Sequence, residues 1–242
     1  MILILGALDC EIKTFKKNLV NRKVHSWKGR EIYLGTLKGR EVILAKSGVG
    51  KVLSAMVTQR IIDSYPVDAV IFTGLAGALN PGYGIGDIII GNDTLQYDMD
   101  VTAMNFELGE IPFTGIRILK SDPELIEAAL SVKTSPWGKS FLKKHAVHTG
   151  RILTGDRFVV LSADSESSRV LRSHLEGDAV EMEGAAVGLV AFSNGIPFLL
   201  TRTVSDRADR NARKDFSKIM RSASDNSYNL VTHILTQTGD KS

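Results

Sequence analysis

Short apolar runs recur along this chain, and longer amphipathic stretches separate most of them. Ile2–Gly6 and residues 67–72, 86–91, 147–154, 178–181 and 197–204 are rich in Val, Ile and Leu and bounded by Gly, Pro or Asp. Such runs suit strands covered on both faces. Residues 25–27, 31–37 and 41–46 read as shorter strands separated by Lys28-Gly29 and Lys38-Gly39 turns. The spacing predicts helices over Asp9–Asn18, from Ser47-Gly48-Val49-Gly50-Lys51 to about residue 64, and over 123–132, 137–145, 164–174, 183–194 and 214–236, with Asp9 as an N-cap. Residues 97–112 have no period and form a long irregular segment of the kind that often carries function. Strands alternating with helices, without a repeat or linker, predict a single-domain three-layer α/β/α fold around a central twisted mixed β-sheet.

Composition narrows the class. With 242 residues and 43% hydrophobic content, the chain can bury one large core. Thirty Lys and Arg against 27 Asp and Glu leave +3, spread along the chain. No basic tract or interleaved aromatics suggests nucleic-acid binding. The lone Cys10 excludes an internal disulfide and a multi-cysteine zinc site, and fits a reducing compartment. Met1 to Leu5 is too short for a signal segment, and no stretch approaches a membrane span. A cytoplasmic protein is expected.

Several apparent motifs fail. Ser47 to Lys51 imitates the end of a P-loop, but Val52 stands where Ser or Thr is required. It reads instead as a glycine turn bringing backbone N–H groups to a helix start beside a ligand. Gly82, Gly84 and Gly86 precede a strand, whereas a dinucleotide fingerprint opens a helix. His25, His145, His148, His174 and His233 form no metal-ligand pair, so structural histidines are expected and no metal is predicted.

Acidic side chains survive this test. Asp206 follows a buried strand; it is either a helix cap or an acid held protonated by burial, able to donate to a leaving group. Glu181 and Glu183 lie two apart and would share a side on a strand end. Glu183 is either an acid favoured at a helix N-terminus or an ionised acceptor for vicinal sugar hydroxyls. Glu11, one helical turn beyond the first strand, would by itself be a solvent-facing helix residue.

Taken together, Gly6-Ala7-Leu8-Asp9-Cys10-Glu11, Ser47 to Lys51, Thr73-Gly74-Leu75-Ala76-Gly77, Asp100-Val101-Thr102-Ala103, Val180 to Ala186 and Ser205-Asp206-Arg207-Ala208-Asp209 fall in the order of one family. The chain resembles the bacterial 5′-methylthioadenosine/S-adenosylhomocysteine nucleosidases of the nucleoside phosphorylase and hydrolase superfamily. That resemblance implies hydrolysis of an adenosine-type N-glycosidic bond without a cofactor. It implies that Asp206, supported by Ser205, donates to N7 of adenine. Glu183 holds the ribose hydroxyls, with Met182 packing on the sugar. Glu11 is the ionised base that activates water, with Arg202 nearby. Phe158 and Val159 sandwich adenine; Glu181, Ala76 and Gly77 lie in matching motifs and count among the binding residues. Val49 and Phe216 line the 5′-alkylthio pocket, together with the partner subunit's Val101, the partner subunit's Met104 and the partner subunit's Pro112. A homodimer follows. Leu75 stands where many relatives carry a small polar residue near the water, and Met104 where an aromatic is common; both bear on the water and on the 5′-substituent.

Three rivals remain open. A phosphorylase on the same scaffold would need an oxyanion site near the N-terminal loop, where Asp9 and Glu11 repel phosphate. A nucleosidase for another adenosine or futalosine-like nucleoside would share the adenine and ribose contacts. A catalytically inactive nucleoside- or polyanion-binding protein would not need a water base.

Overall fold

The structure is a computed structural model describing residues 1–162 and 165–238. Strand β1 (Ile2–Gly6) shows why the apolar runs are continuous. Ile2 and Ile4 enter one core cluster while Leu3 and Leu5 enter another, so both faces of the strand are covered. Helix α1 (Asp9–Asn18) follows, then β2 (Val20–Trp27), β3 (Arg30–Leu37), β4 (Arg40–Lys46) and α2 (Lys51–Ile62). Next come β5 (Ala69–Phe72), β6 (Leu75–Ala78), β7 (Ile88–Gln96) and the short β8 (Leu119–Lys120). Helices α3 (Pro123–Leu130) and α4 (Pro136–Phe141) precede β9 (Val147–Thr154) and α5 (Glu166–Arg169). The chain closes with β10 (Ala179–Glu181), α6 (Gly184–Ser193), β11 (Phe198–Asp206) and α7 (Ala212–Gln237). The predicted helix start at Asp164 lies outside the described residues.

The strands run in the order β2-β3-β4-β1-β5-β11-β6-β10-β9-β7-β8, with parallel and antiparallel neighbours mixed. One core cluster packs this sheet on residues of α1, α3 and α7, such as Phe15, Leu125 and Leu230; the other packs it on α2 and α6 through Val57 and Val187. That is the expected three-layer arrangement. One feature exceeds it: β7 also pairs with β11, so β6, β11, β7, β9 and β10 close on themselves. Strand β11 belongs to both parts. Its Phe198–Leu200 portion pairs with β5 and its Thr203–Asp206 portion with β6. Long-range pairing of this kind leaves no local signal.

Several boundaries differ from the sequence expectation. Strand β2 is longer than residues 25–27 because it pairs with β3 from Val20 onward while staying exposed at the sheet edge. Leu75–Ala78 forms a strand although the segment reads as a glycine-rich turn. Asp9 does not cap α1; Leu8 occupies that position, and the Glu11 carboxylate accepts the Leu8 N–H at 2.9 Å. Asp9 instead pairs with Lys46 at 2.6 Å.

Among the described residues, no helix is long and apolar enough to cross a membrane.

Candidate active site

A cavity of about 220 Å³ opens where β1, β6, β10 and β11 end or meet. It lies at carboxyl ends of parallel strands, the place where α/β sheets leave room for ligands. Glu11, Glu183 and Asp206, far apart in sequence, all line it. So do Val49, Ala76, Gly77, Phe158, Glu181, Met182, Ser205 and Phe216. Ala7, Leu8 and Val180, which lie in the ordered short motifs but are given no role by the sequence, also contribute, as does Leu75. Each lies at or just past a strand adjoining the acids.

Asp206 reaches the cavity through a distortion of β11. Val204 pairs with Ala76 and Asp206 with the next residue, Gly77, so Ser205 is extra. Regular alternation would send Ser205 and Asp206 to opposite faces; the bulge brings both to the cavity. A Cβ on Gly77 would lie 2.8 Å from Asp206 Oδ1, so glycine makes room for the carboxyl. Ala208 N–H donates to Asp206 Oδ1 at 2.8 Å. Ser205 Oγ lies 2.6 Å from Asp206 Oδ2 and 3.1 Å from the Ala76 carbonyl oxygen. A hydroxyl has one proton for those two acceptors. Burial pushes the Asp206 carboxyl above its ordinary value, against the opposing pull of the Ser205 and Ala208 hydrogen bonds. Burial of this kind favours the protonated carboxyl over the carboxylate.

Glu11 is buried, contrary to the solvent-facing alternative. Its Oε2 accepts the Leu8 N–H and its Oε1 the Leu75 N–H, each at 2.9 Å. Gly74 brings the Leu75 peptide close: a Cβ there would sit 2.6 Å from Oε1. Burial raises the Glu11 pKa, while Arg202 and these N–H groups favour the charged form. The expectation of an ordinary ionised carboxylate is thereby modified. A base with a raised pKa is a stronger proton acceptor near neutral pH.

Glu181 and Glu183 do different things. Glu181 is bonded to Arg202 Nη2 and Thr154 Oγ1, and accepts the Gly184 N–H at 2.8 Å at the start of α6. Arg202 is buried behind it over the Phe72 ring, 4.2 Å from the centroid, and does not line the cavity. Glu183 Oε1 accepts the Gly50 N–H at 2.9 Å, across from the turn that opens α2. The sequence suggests an ionised Glu183, but its pKa is pushed up to about 8, first by burial and then by Glu181; Arg202 and the Gly50 N–H oppose this. The neighbouring acids add to burial: Glu181 and, more weakly, Glu11 repel the charged form, while the Arg202 guanidinium is already engaged by Glu181.

That shift has a measurable sign. Below about pH 4.5 folded and unfolded chains both hold the Glu183 proton; between there and about pH 8 only the folded chain does. This contribution to stability is therefore lost as pH rises through that window, at no more than ~1.4 kcal/mol per pH unit. Glu183→Gln is expected to flatten the decline, as urea unfolding from about pH 5 to about pH 8 would show. An unchanged slope would contradict the assignment.

Val159 does not line this cavity. It faces a neighbouring one of about 650 Å³ that also holds Asp98, Arg157 and Val160. Phe158 lies at the mouth of the smaller cavity, edge-on to Phe216 with ring centroids 6.1 Å apart. Val101, Met104 and Pro112 lie on the irregular segment outside it. Among the described residues no cluster of His, Cys, Asp or Glu could hold a metal.

The phosphorylase superfamily model matches residues 1–236. The 5′-methylthioadenosine/S-adenosylhomocysteine nucleosidase of Exiguobacterium sp. is 34% identical over 230 residues, covering 94% of each chain. This chain belongs to the phosphorylase superfamily, among these nucleosidases. The nucleosidase of Neisseria meningitidis, solved with methylthio-immucillin-A, is 36% identical with a TM-score of 0.87, over 97% of both chains. Futalosine hydrolase of Helicobacter pylori has the same TM-score at 29% identity, over 98% of this chain and 97% of its own.

Proposed function

We propose that this nucleosidase hydrolyses the N-glycosidic bond of 5′-methylthioadenosine and S-adenosylhomocysteine, and also of 5′-deoxyadenosine. The products are adenine and the 5′-substituted ribose. The reading rests on one observation above all: the carboxyls of Asp206, Glu11 and Glu183, each with its pKa raised by burial, meet in a single cavity. As the C1′–N9 bond breaks, its electron pair moves to the purine and positive charge grows on the sugar. Asp206 gives its proton to N7. Water bonds to C1′ and passes a proton to Glu11. Both groups stabilise charge that exists only as the bond breaks, so they lower the barrier more than they strengthen substrate binding. These steps use only the chain and water.

The remaining contacts follow. Glu183 accepts from the ribose hydroxyls; those donors favour its charged form, so binding releases a proton near neutral pH. Met182 packs on the sugar and Phe158 on the base. Leu75 gives the water site an apolar wall beside its own N–H, which holds Glu11. Arg202 acts from behind the cavity, through its charge on Glu11 and its bond to Glu181.

Phosphorolysis is disfavoured by what occupies the start of α2. The Gly50 and Lys51 N–H groups, which could cradle a phosphate, are taken by the carboxylates of Glu183 and Asp156 at 2.9 Å. Loss of catalysis is disfavoured by the water base itself, which binding does not need.

We also infer a cytoplasmic homodimer. The segment bearing Val101, Met104 and Pro112 exposes Met104 and, most fully, Phe113, and α2 exposes Val52 and Met56. A second copy covers these apolar groups and completes the 5′-pocket. One preparation tests both readings. Incubated with methylthioadenosine and inorganic phosphate, it should yield free adenine and 5-methylthioribose, and sediment as a dimer. The 1-phosphate as product, or no adenine at all, defeats the reaction; a fully active monomer defeats the dimer.

A further inference from the structure

The first turn of α2 is tied to two distant segments by bonds that the reaction scheme leaves unused. Lys51 Nζ donates to Asp98 Oδ1 at 2.6 Å, just beyond the end of β7. Their side chains are only 17% and 22% exposed, so the pair is largely withdrawn from water. Asp98 Oδ2 accepts the Asp156 N–H at 2.9 Å, and Asp156 Oδ1 accepts the Lys51 N–H at 2.9 Å. The bonds therefore close a ring through Lys51, Asp98 and Asp156.

Each side of this ring touches the cavity machinery. The neighbouring Gly50 N–H holds Glu183 Oε1. Asp156 lies two residues before Phe158, at the cavity mouth. Lys51 is also the cation paired with Asp98, and without it that largely buried carboxylate loses its ion-pair partner.

We propose that Lys51 and Asp98 are positioning residues for the nucleoside cavity, their ion pair fixing both the Gly50 peptide under Glu183 and the loop that carries Phe158. This rests on the nucleosidase reading for its substrate. Because Glu183 and Phe158 hold the nucleoside before and during bond breaking, loosening them weakens binding more than chemistry.

Lys51→Met and Asp98→Asn are expected to raise KM for methylthioadenosine about tenfold or more, with kcat changed by less than about threefold. Lys51→Arg keeps the charge and should stay near the parent KM. The double variant should be no worse than either single one, since both break one linked unit. Amide hydrogen exchange at Gly50 and Asp156 should accelerate in Lys51→Met and Asp98→Asn, with melting temperatures recorded alongside. An unchanged KM in a folded Lys51→Met, a kcat loss that follows thermal stability at constant KM, or additive effects in the double variant would overturn the proposal. If the parent protein released no adenine, the nucleosidase reading would fall, while exchange at Gly50 and Asp156 would still decide whether the ring holds them.

Discussion

Asp206→Asn should leave a folded protein whose kcat for methylthioadenosine is lower by about 10²–10⁴-fold. The amide fills nearly the same space and can still accept the Ala208 N–H, so the bulge in β11 should persist. What disappears is the transferable proton. With no acid at N7, the purine must leave with its negative charge unrelieved. The parent protein should show the matching pH dependence. Burial raises the Asp206 pKa, so activity should be retained below that value and fall as pH rises through it. In the variant that limb should be absent from the residual rate. Adenine release across pH, with melting curves for both proteins, is the measurement. Near-parental activity in Asp206→Asn would transfer the acid's role elsewhere.

Glu11→Gln is expected to fail in two ways at once. Both carboxylate oxygens accept backbone N–H groups, from Leu8 and from Leu75. A glutamine supplies one acceptor oxygen and one donor nitrogen. One buried N–H would then face an NH₂ group and lose its partner, at a cost of about 1–3 kcal/mol. The start of α1 should loosen accordingly. The amide also cannot take a proton from water, so kcat should fall by about 10²–10⁴-fold. Glu11→Asp separates the two effects: it keeps the charge but is one methylene too short to reach both N–H groups. Thermal unfolding and adenine release for both variants would test this. A Glu11→Gln protein with ordinary turnover would show that water is activated by another group.

The electrostatics of the three acids were only partly legible. Sequence context allows a protonated Asp206, but it suggests charged Glu183 and Glu11. Burial raises both; Arg202 opposes the rise at each and Glu181 adds to it at Glu183, and those two residues contact each other from different strands. Similarly, Asp9 has the composition of a helix cap, yet Glu11 takes the Leu8 N–H because its longer side chain folds back from the first turn. The Lys51, Asp98 and Asp156 ring left no trace in the sequence, since its members come from three segments that only folding unites.

Local features were legible from the order of residues alone. Apolar runs covered on both faces set the strands, the 3.6-residue period set the helices, and a set of ordered short motifs marked the family. Features that depend on register and distance came only with the folded chain. Closure of β7 onto β11, the bulge that turns Asp206 toward the cavity, and the placement of Arg202 behind Glu181 rather than in the cavity lining all belong there. Backbone propensity acts over a few neighbouring residues, whereas pairing register and desolvation arise only when distant segments exclude water together.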